Sequence, residues 1–276
     1  RDLVNNPAAA EMKNCQYLII GGGMTAAAAV DGIREVDPTG SIGIVSIESD
    51  PPYNRPPLSK GLWKGNPVDG IWRKPKENAP ELHLGRTIKK IIPQERRAVD
   101  GQGNVFTYGK LLLATGGTPR RLPFEDEQMI YFRTLADYRR LRALTEKGEH
   151  FAVIGGGFIG SEIAAALAMN GKKVTMIFPG HEIGERIFPR DLAQYVSGIY
   201  KAKGVELLGG EKVVASEAQG NQRALKTASG KTILVDAVVA GIGNEPTIVP
   251  AESIGLRTET GSVVGEFMRH GATQNH

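Results

Sequence analysis

A short apolar run ending directly in a glycine-rich turn occurs twice in this chain. Tyr17-Leu18-Ile19-Ile20 leads into Gly21-Gly22-Gly23-Met24-Thr25-Ala26, and Phe151-Ala152-Val153-Ile154 leads into Gly155-Gly156-Gly157-Phe158-Ile159-Gly160. Each turn opens an alanine-rich stretch of helical character, Met24 to Glu35 and Phe158 to Met169, and a second apolar run follows each, Ile42 to Ile47 and Val174 to Phe178. With Gln16 to Ile20 and Phe151 to Ile154 as the leading strands, this is the grammar of a β-α-β unit, present in two copies. Asp37-Pro38-Thr39-Gly40 marks the return turn of the first copy and Asn170-Gly171 that of the second.

The glycines answer a steric need. The first allows a sharp bend from strand to helix, the second lets the backbone approach a pyrophosphate, and the third lets helix and strand pack closely. The helix N-terminus then offers unpaired N–H groups and about half a positive charge to the phosphates. A glycine string alone is a weak signal. A strand before it and a helix after it, found twice, carry the inference of one dinucleotide per copy, and a pair of such nucleotides implies electron transfer. The binding candidates are Gly21, Gly23, Thr25 and Ala26 in the first turn, and Gly155, Gly157, Ile159 and Gly160 in the second. Ala26 stands where a third glycine is usual, at a position that needs only to be small. A carboxylate at the end of the second strand should hold ribose hydroxyls, and Glu48 is so placed in the first copy. In the second, Met176-Ile177-Phe178-Pro179-Gly180 offers no carboxylate before Glu182, and His181 and Arg186 could tolerate a 2′-phosphate, which leaves NAD and NADP both open.

A length of 276 residues suits two domains. Between the copies lies Pro51 to Pro57, too proline-dense for helix or central strand, then Leu58 to Trp63 as a short helix, alternating pieces at Leu82-Leu84, Ile88-Ile92 and Val105-Tyr108, and the apolar run Leu111 to Ala114. After the second copy come a helix over Arg190 to Lys203 and strand-like pieces near Val205-Leu208, Lys212-Ser216, Ala224-Thr227 and Val235-Ala240. No apolar run reaches the roughly 18 residues of a membrane span, and Arg1 to Ala10 reads as a solvated leader, which makes the cytoplasm the expected location. The net charge of +4 comes from 34 basic and 30 acidic residues spread along the sequence, so nucleic acid is not an expected partner. The five histidines share no metal-ligand spacing, so no metal is expected. The single cysteine, Cys15, excludes an internal disulfide and a paired-thiol relay.

Further signatures carry a family resemblance: Pro52-Tyr53-Asn54-Arg55-Pro56-Pro57-Leu58-Ser59-Lys60, Ala114-Thr115-Gly116-Gly117-Thr118-Pro119-Arg120, Gly155 to Glu162, and Gly241-Ile242-Gly243-Asn244-Glu245-Pro246. Together they resemble the branch of the FAD/NAD(P)-dependent pyridine nucleotide-disulfide oxidoreductases that holds the apoptosis-inducing-factor-like proteins and the flavoprotein ferredoxin reductases. The resemblance implies an α/β chain with two Rossmann-like dinucleotide-binding domains of glutathione-reductase type. It implies FAD on the first copy and NAD(P)H on the second, NADH being favoured. By position, Glu48 meets the FAD ribose, Arg55 and Arg120 make polar contacts to FAD, and the backbone near Ile88 meets the adenine. Thr115-Gly116 is similar to the turn that passes the flavin, Phe158 to the residue that covers the nicotinamide, and Gly241 and Gly243 fall in a matching cofactor segment. Lys60 and Glu162 are the implied catalytic pair, a lysine beside the flavin held by the glutamate that closes the second glycine motif.

The activity so implied is an FAD-dependent NAD(P)H oxidoreductase. Hydride passes from nicotinamide to flavin, and electrons go on to a quinone, oxygen or a ferredoxin- or rubredoxin-type protein. The alternative is an NADH-sensing signalling flavoprotein of apoptosis-inducing-factor type, with slow turnover and a stable charge-transfer complex. Expected boundaries are a leader over 1–13, the first part of the FAD domain over 14–123, the NAD(P) domain over 124–246, and a return segment over 247–276. Family members continue with a strand ending in Gly-Asp and an interface domain, which are expected to be missing here; a homodimer is expected only of a full-length form.

Overall fold

Leu18 and Ile19 are fully buried and Ile20 nearly so, as befits a strand covered on both faces of a parallel sheet. They end strand β1 (Met12–Ile20), which begins four residues before the expected start because Met12 and Lys13 pair with Val105 and Phe106. The computed structural model describes residues 10–74, 78–124 and 128–258. Most of the expected leader and residues 259–276 therefore lie outside the described residues, and the expected absence of a Gly-Asp strand end concerns the latter.

The chain divides into two compact units, one of Arg1–Asn54, Ile71–Thr118 and Pro246–His276, the other of Arg55–Gly70 and Pro119–Glu245. In the first, β1, helix α1 (Met24–Val36) and β2 (Ile42–Val45) form the expected β-α-β copy. They join β3 (Glu81–His83), β4 (Ile88–Ile92), β5 (Arg97–Asp100) and β6 (Val105–Leu113) in a six-stranded sheet ordered β3-β2-β1-β6-β5-β4. The β3-β2-β1-β6 part is parallel, and β6-β5-β4 is an antiparallel meander. Ala26 and Val30 of α1 pack on Ile19, Ile42 and Ile44. The apolar run 105–108 and residues 111–113 of the next belong to one strand rather than two pieces, because β6 pairs with β1 along its length. A short strand, β7 (Gly117–Pro119), carries the chain out of this unit.

In the second unit, β8 (Ile130–Tyr131) and helix α2 (Leu135–Thr145) precede the second copy: β9 (His150–Ile154), α3 (Phe158–Met169) and β10 (Lys173–Phe178). Helix α4 (Arg190–Ala202) leads to β11 (Glu206–Gly209). An antiparallel sheet of β12 (Val213–Gln219), β13 (Gln222–Thr227) and β14 (Thr232–Val235) precedes β15 (Ala237–Ala240). The main sheet is parallel, in the order β11-β10-β9-β15-β8.

The compact units divide the chain at Thr118/Pro119 and Glu245/Pro246, close to the expected 123/124 and 246/247, and differ from the expected boundaries most at one segment. Arg55–Gly70, read from sequence as part of the first domain, belongs to the second unit. The reason is apolar: Trp63 is buried, meets the Tyr138 ring edge-on at 5.6 Å, lies under the Arg142 guanidinium, and has its carbonyl bonded by Asn170. Residues 56–59 and 61–64 form successive turns of 3-10 helix rather than one α-helix.

Candidate dinucleotide sites and the Lys60–Glu162 pair

The two glycine turns are built alike. Gly21 and Gly155 both adopt φ of 116°, a left-handed conformation that glycine alone takes readily. A Cβ at Gly21 would run into the carbonyl of Ala114, and one at Gly155 into that of Gly241. Gly21 N–H donates to Val45 at 2.8 Å and Gly155 N–H to Ile177 at 2.9 Å. These close approaches bring each turn to the C-terminal edge of its parallel strands, where nucleotides bind in open α/β sheets.

Each helix that follows begins without a cap. The N-cap residues are Gly23 and Gly157, both extended, and neither α1 nor α3 has an acidic residue in its first turn. A Cβ at Gly157 would meet open space. Helix α2 is the contrast: Thr134 accepts from the Asp137 N–H while the Asp137 carboxylate takes the Thr134 N–H, a complete capping box. Within one chain, then, α2 satisfies its first N–H groups internally, whereas α1 and α3 have neither a side-chain cap nor an acidic first turn, as suits a pyrophosphate. The residues present fit two such groups.

Around the first turn, Glu48 follows β2 and takes a hydrogen bond from the Tyr53 hydroxyl at 2.5 Å. Thr25 is exposed on α1 and Ala26 is fully buried. Thr115 donates its hydroxyl to the Thr247 carbonyl at 2.7 Å, Gly116 turns with φ of 63°, and Ile88 is half-buried at the start of β4. In the second unit Arg55 donates to the Arg133 carbonyl at 3.1 Å. Arg120 pairs with Glu245 at 3.3 Å, its aliphatic stem beside Gly243. Phe158 is 58% exposed at the head of α3 and meets Phe188 edge-on, next to the exposed Ile159 and the buried Gly160. Glu182 is half-buried after β10.

Lys60 and Glu162 come together within the second unit. The ammonium lies 2.7 Å from Glu162 Oε2, and the Ser59 hydroxyl donates to that same oxygen at 2.5 Å. Glu162 is held by α3, and Ser59, buried at 6% exposure, is fixed by the 3-10 turn of Pro56–Ser59. The Lys60 side chain keeps 53% of its exposure, so the charge is anchored yet accessible. Ser59 was missed from sequence, although it adjoins the lysine already singled out. At the same end of α3, the half-buried Tyr200 donates its hydroxyl to the Ser161 carbonyl at 2.9 Å, and desolvation raises its pKa. Cys15 is buried in β1, and that burial raises its thiol pKa.

Fold and turns together define an α/β protein with two dinucleotide-type cradles. The sequence profile of the family described as pyridine nucleotide-disulphide oxidoreductase matches residues 15–274, and the chain belongs to that family. It is 34% identical over 266 residues to the 5,5'-dehydrodivanillate O-demethylase ferredoxin reductase subunit of Sphingobium sp., covering 93% of this chain and 65% of that protein. It is 32% identical to mitochondrial apoptosis-inducing factor 1 of Dictyostelium discoideum, covering 90% of this chain and 52% of the relative. Among solved structures it is similar to putidaredoxin reductase in its covalent complex with putidaredoxin, at a TM-score of 0.85 and 27% identity over 94% of this chain and 65% of that one. The chain thus spans about two thirds or less of the length of these relatives. Among the described residues, no helix is long and apolar enough to cross a membrane.

Proposed function

We propose that this chain forms the nucleotide-binding part of an FAD-dependent NAD(P)H oxidoreductase that hands electrons to a small ferredoxin-type protein. The observation that carries this is the doubled cradle, two turns with the same φ and two uncapped helix N-termini beside a helix that is capped. Similarity to a ferredoxin reductase subunit and to a reductase joined to its redox partner supports the acceptor class.

When bound, a flavin and a nicotinamide supply the hydride exchange. The work of this chain is to bind and orient. The N–H groups after Gly23 and Gly157 receive phosphate oxygens, the helix dipoles add favourable charge, and the Glu48 carboxylate accepts from ribose hydroxyls. Glu162 holds the Lys60 ammonium in one place, with Ser59 fixing the carboxylate, so that a positive charge stands ready without reorganisation. Cys15, buried in β1, takes no part in this scheme.

Anaerobic titration tests the proposal. Protein supplied with FAD should retain the yellow chromophore through gel filtration and lose its absorbance on stoichiometric NADH or NADPH. A colourless protein, or a flavin that neither nucleotide bleaches, would contradict it.

A further inference from the structure

The two copies can be matched residue by residue along their second strands, and the match exposes a substitution of function. Ser46 lies against Gly22 as Phe178 lies against Gly156. Arg86 N–H donates to the Ser46 carbonyl as Glu211 N–H does to Phe178, and Gly85 N–H donates to the Glu48 carbonyl as Gly210 N–H does to Gly180. The counterpart of Glu48 is therefore Gly180, which has no side chain.

The space of that missing side chain is filled. An ideal Cβ on Gly180 would lie 2.5 Å from Oε2 of Glu185, and the same oxygen accepts the His181 N–H at 2.6 Å. The turn of residues 181–185 thus folds a later carboxylate back over the strand end. Its head thereby occupies the backbone N–H of His181. We infer that Glu185, exposed after β10 and pinned on His181 N–H, is the specificity residue of the second turn, accepting from the adenosine 2′-hydroxyl and rejecting a 2′-phosphate. The preferred nucleotide is then NAD(H). Like-charge opposition disfavours the phosphorylated form, whereas the hydroxyl is a donor that a carboxylate accepts.

This inference rests on a pyridine nucleotide occupying the second turn, and the experiment separates the two claims. Calorimetric titration with NAD+ and NADP+ should give the protein at least about tenfold tighter binding of NAD+. Glu185→Gln should reduce that ratio by about tenfold, mainly through tighter NADP+ binding. Glu185→Ala combined with Gly180→Glu, which returns a carboxylate to the strand end in the vacated space, should restore the ratio. A ratio unchanged in Glu185→Gln while both nucleotides bind would overturn the role of Glu185 and leave the second turn as a nucleotide site. A wild-type preference for NADP+, or a loss of discrimination in Glu182→Gln instead, would also overturn it. Binding of neither nucleotide by the wild type would remove both claims.

Discussion

The two glycine turns share a backbone and differ in what presses on it. Under the middle glycine of the first lies the Ser46 hydroxyl, and under that of the second the Phe178 ring. At the third small position the first turn accommodates the methyl of Ala26, fully buried. In the second, any Cβ on Gly160 would strike the Gly155 carbonyl, and one on Gly241 would come within 2.7 Å of Gly160 N. The lesson is that the motif fixes the path of the chain, while the neighbouring strand decides how near the helix comes. The same divergence ends in Glu48 on one side and a bare Gly180 on the other, so two cradles of one design can be tuned to different nucleotides.

Substitutions can break that comparison at several levels. The largest effect is expected from Gly21→Ala and Gly155→Ala, which force a side chain into φ of 116° and onto a carbonyl; each should cost about 3 kcal/mol or more in chemical denaturation. Next come the third positions, where the asymmetry should show. Gly160→Ala should cost about 2 kcal/mol through overpacking, and Ala26→Gly only about 1 kcal/mol; equal costs would mean that the two helices sit equally close.

A smaller effect is expected at the opposite strand edge, where each copy is fastened by an aspartate, Asp37 in the first and Asp236 in the second. Asp37 is held below the usual carboxylate range first by the Gly40 N–H and then by the Tyr17 hydroxyl. For Asp236 the His150 N–H comes first, followed by the Gln222 side chain. A depressed carboxylate pKa adds stability that is present above the unfolded value, about 3.9, and is lost as pH falls through the folded value. Asp236→Asn should therefore cost about 1 kcal/mol or less near neutrality, given its partial exposure. Thermal melts of mutant and wild type should converge as the pH is lowered below that range. The smallest stability effect belongs to Lys60→Ala, within about 0.5 kcal/mol because the pair is partly solvated. Flavin reduction by NADH should nevertheless slow several-fold; an unchanged rate would take Lys60 out of the mechanism.

Much of this was legible in the sequence because periodicity and glycine placement are local. Phe158–Met169 and Ile88–Ile92 fall where the pattern puts them, and Lys60 meets Glu162 as the resemblance implies. What stayed hidden depends on contacts distant in the chain. Arg55–Gly70 joins the second unit through Trp63, which no local pattern reveals. Helix α2 has a local signal as well, since Thr134-Leu135-Ala136-Asp137 spells a capping box. Strand β5 has too short an apolar pattern to stand out, and it exists because β4 and β6 flank it. Glu185 could not be read as a candidate from spacing, since it reaches the strand end only through the fold of residues 181–185.

The central claim is that each cradle holds its own dinucleotide, FAD in the first and NAD(P) in the second, and a carboxylate placed at each helix cap tests it most directly. Aspartate suits an N-cap as a helix start but repels a pyrophosphate, and the extended backbone at Gly23 and Gly157 accepts a side chain. Flavin absorbance and NAD+ calorimetry would be measured on Gly23→Asp and Gly157→Asp side by side. The account predicts that Gly23→Asp loses FAD and keeps NAD+, that Gly157→Asp keeps FAD and loses NAD+, and that neither melts earlier than the parent. Loss of both ligands from one variant with the other unaffected, or retention of both by each, would contradict it.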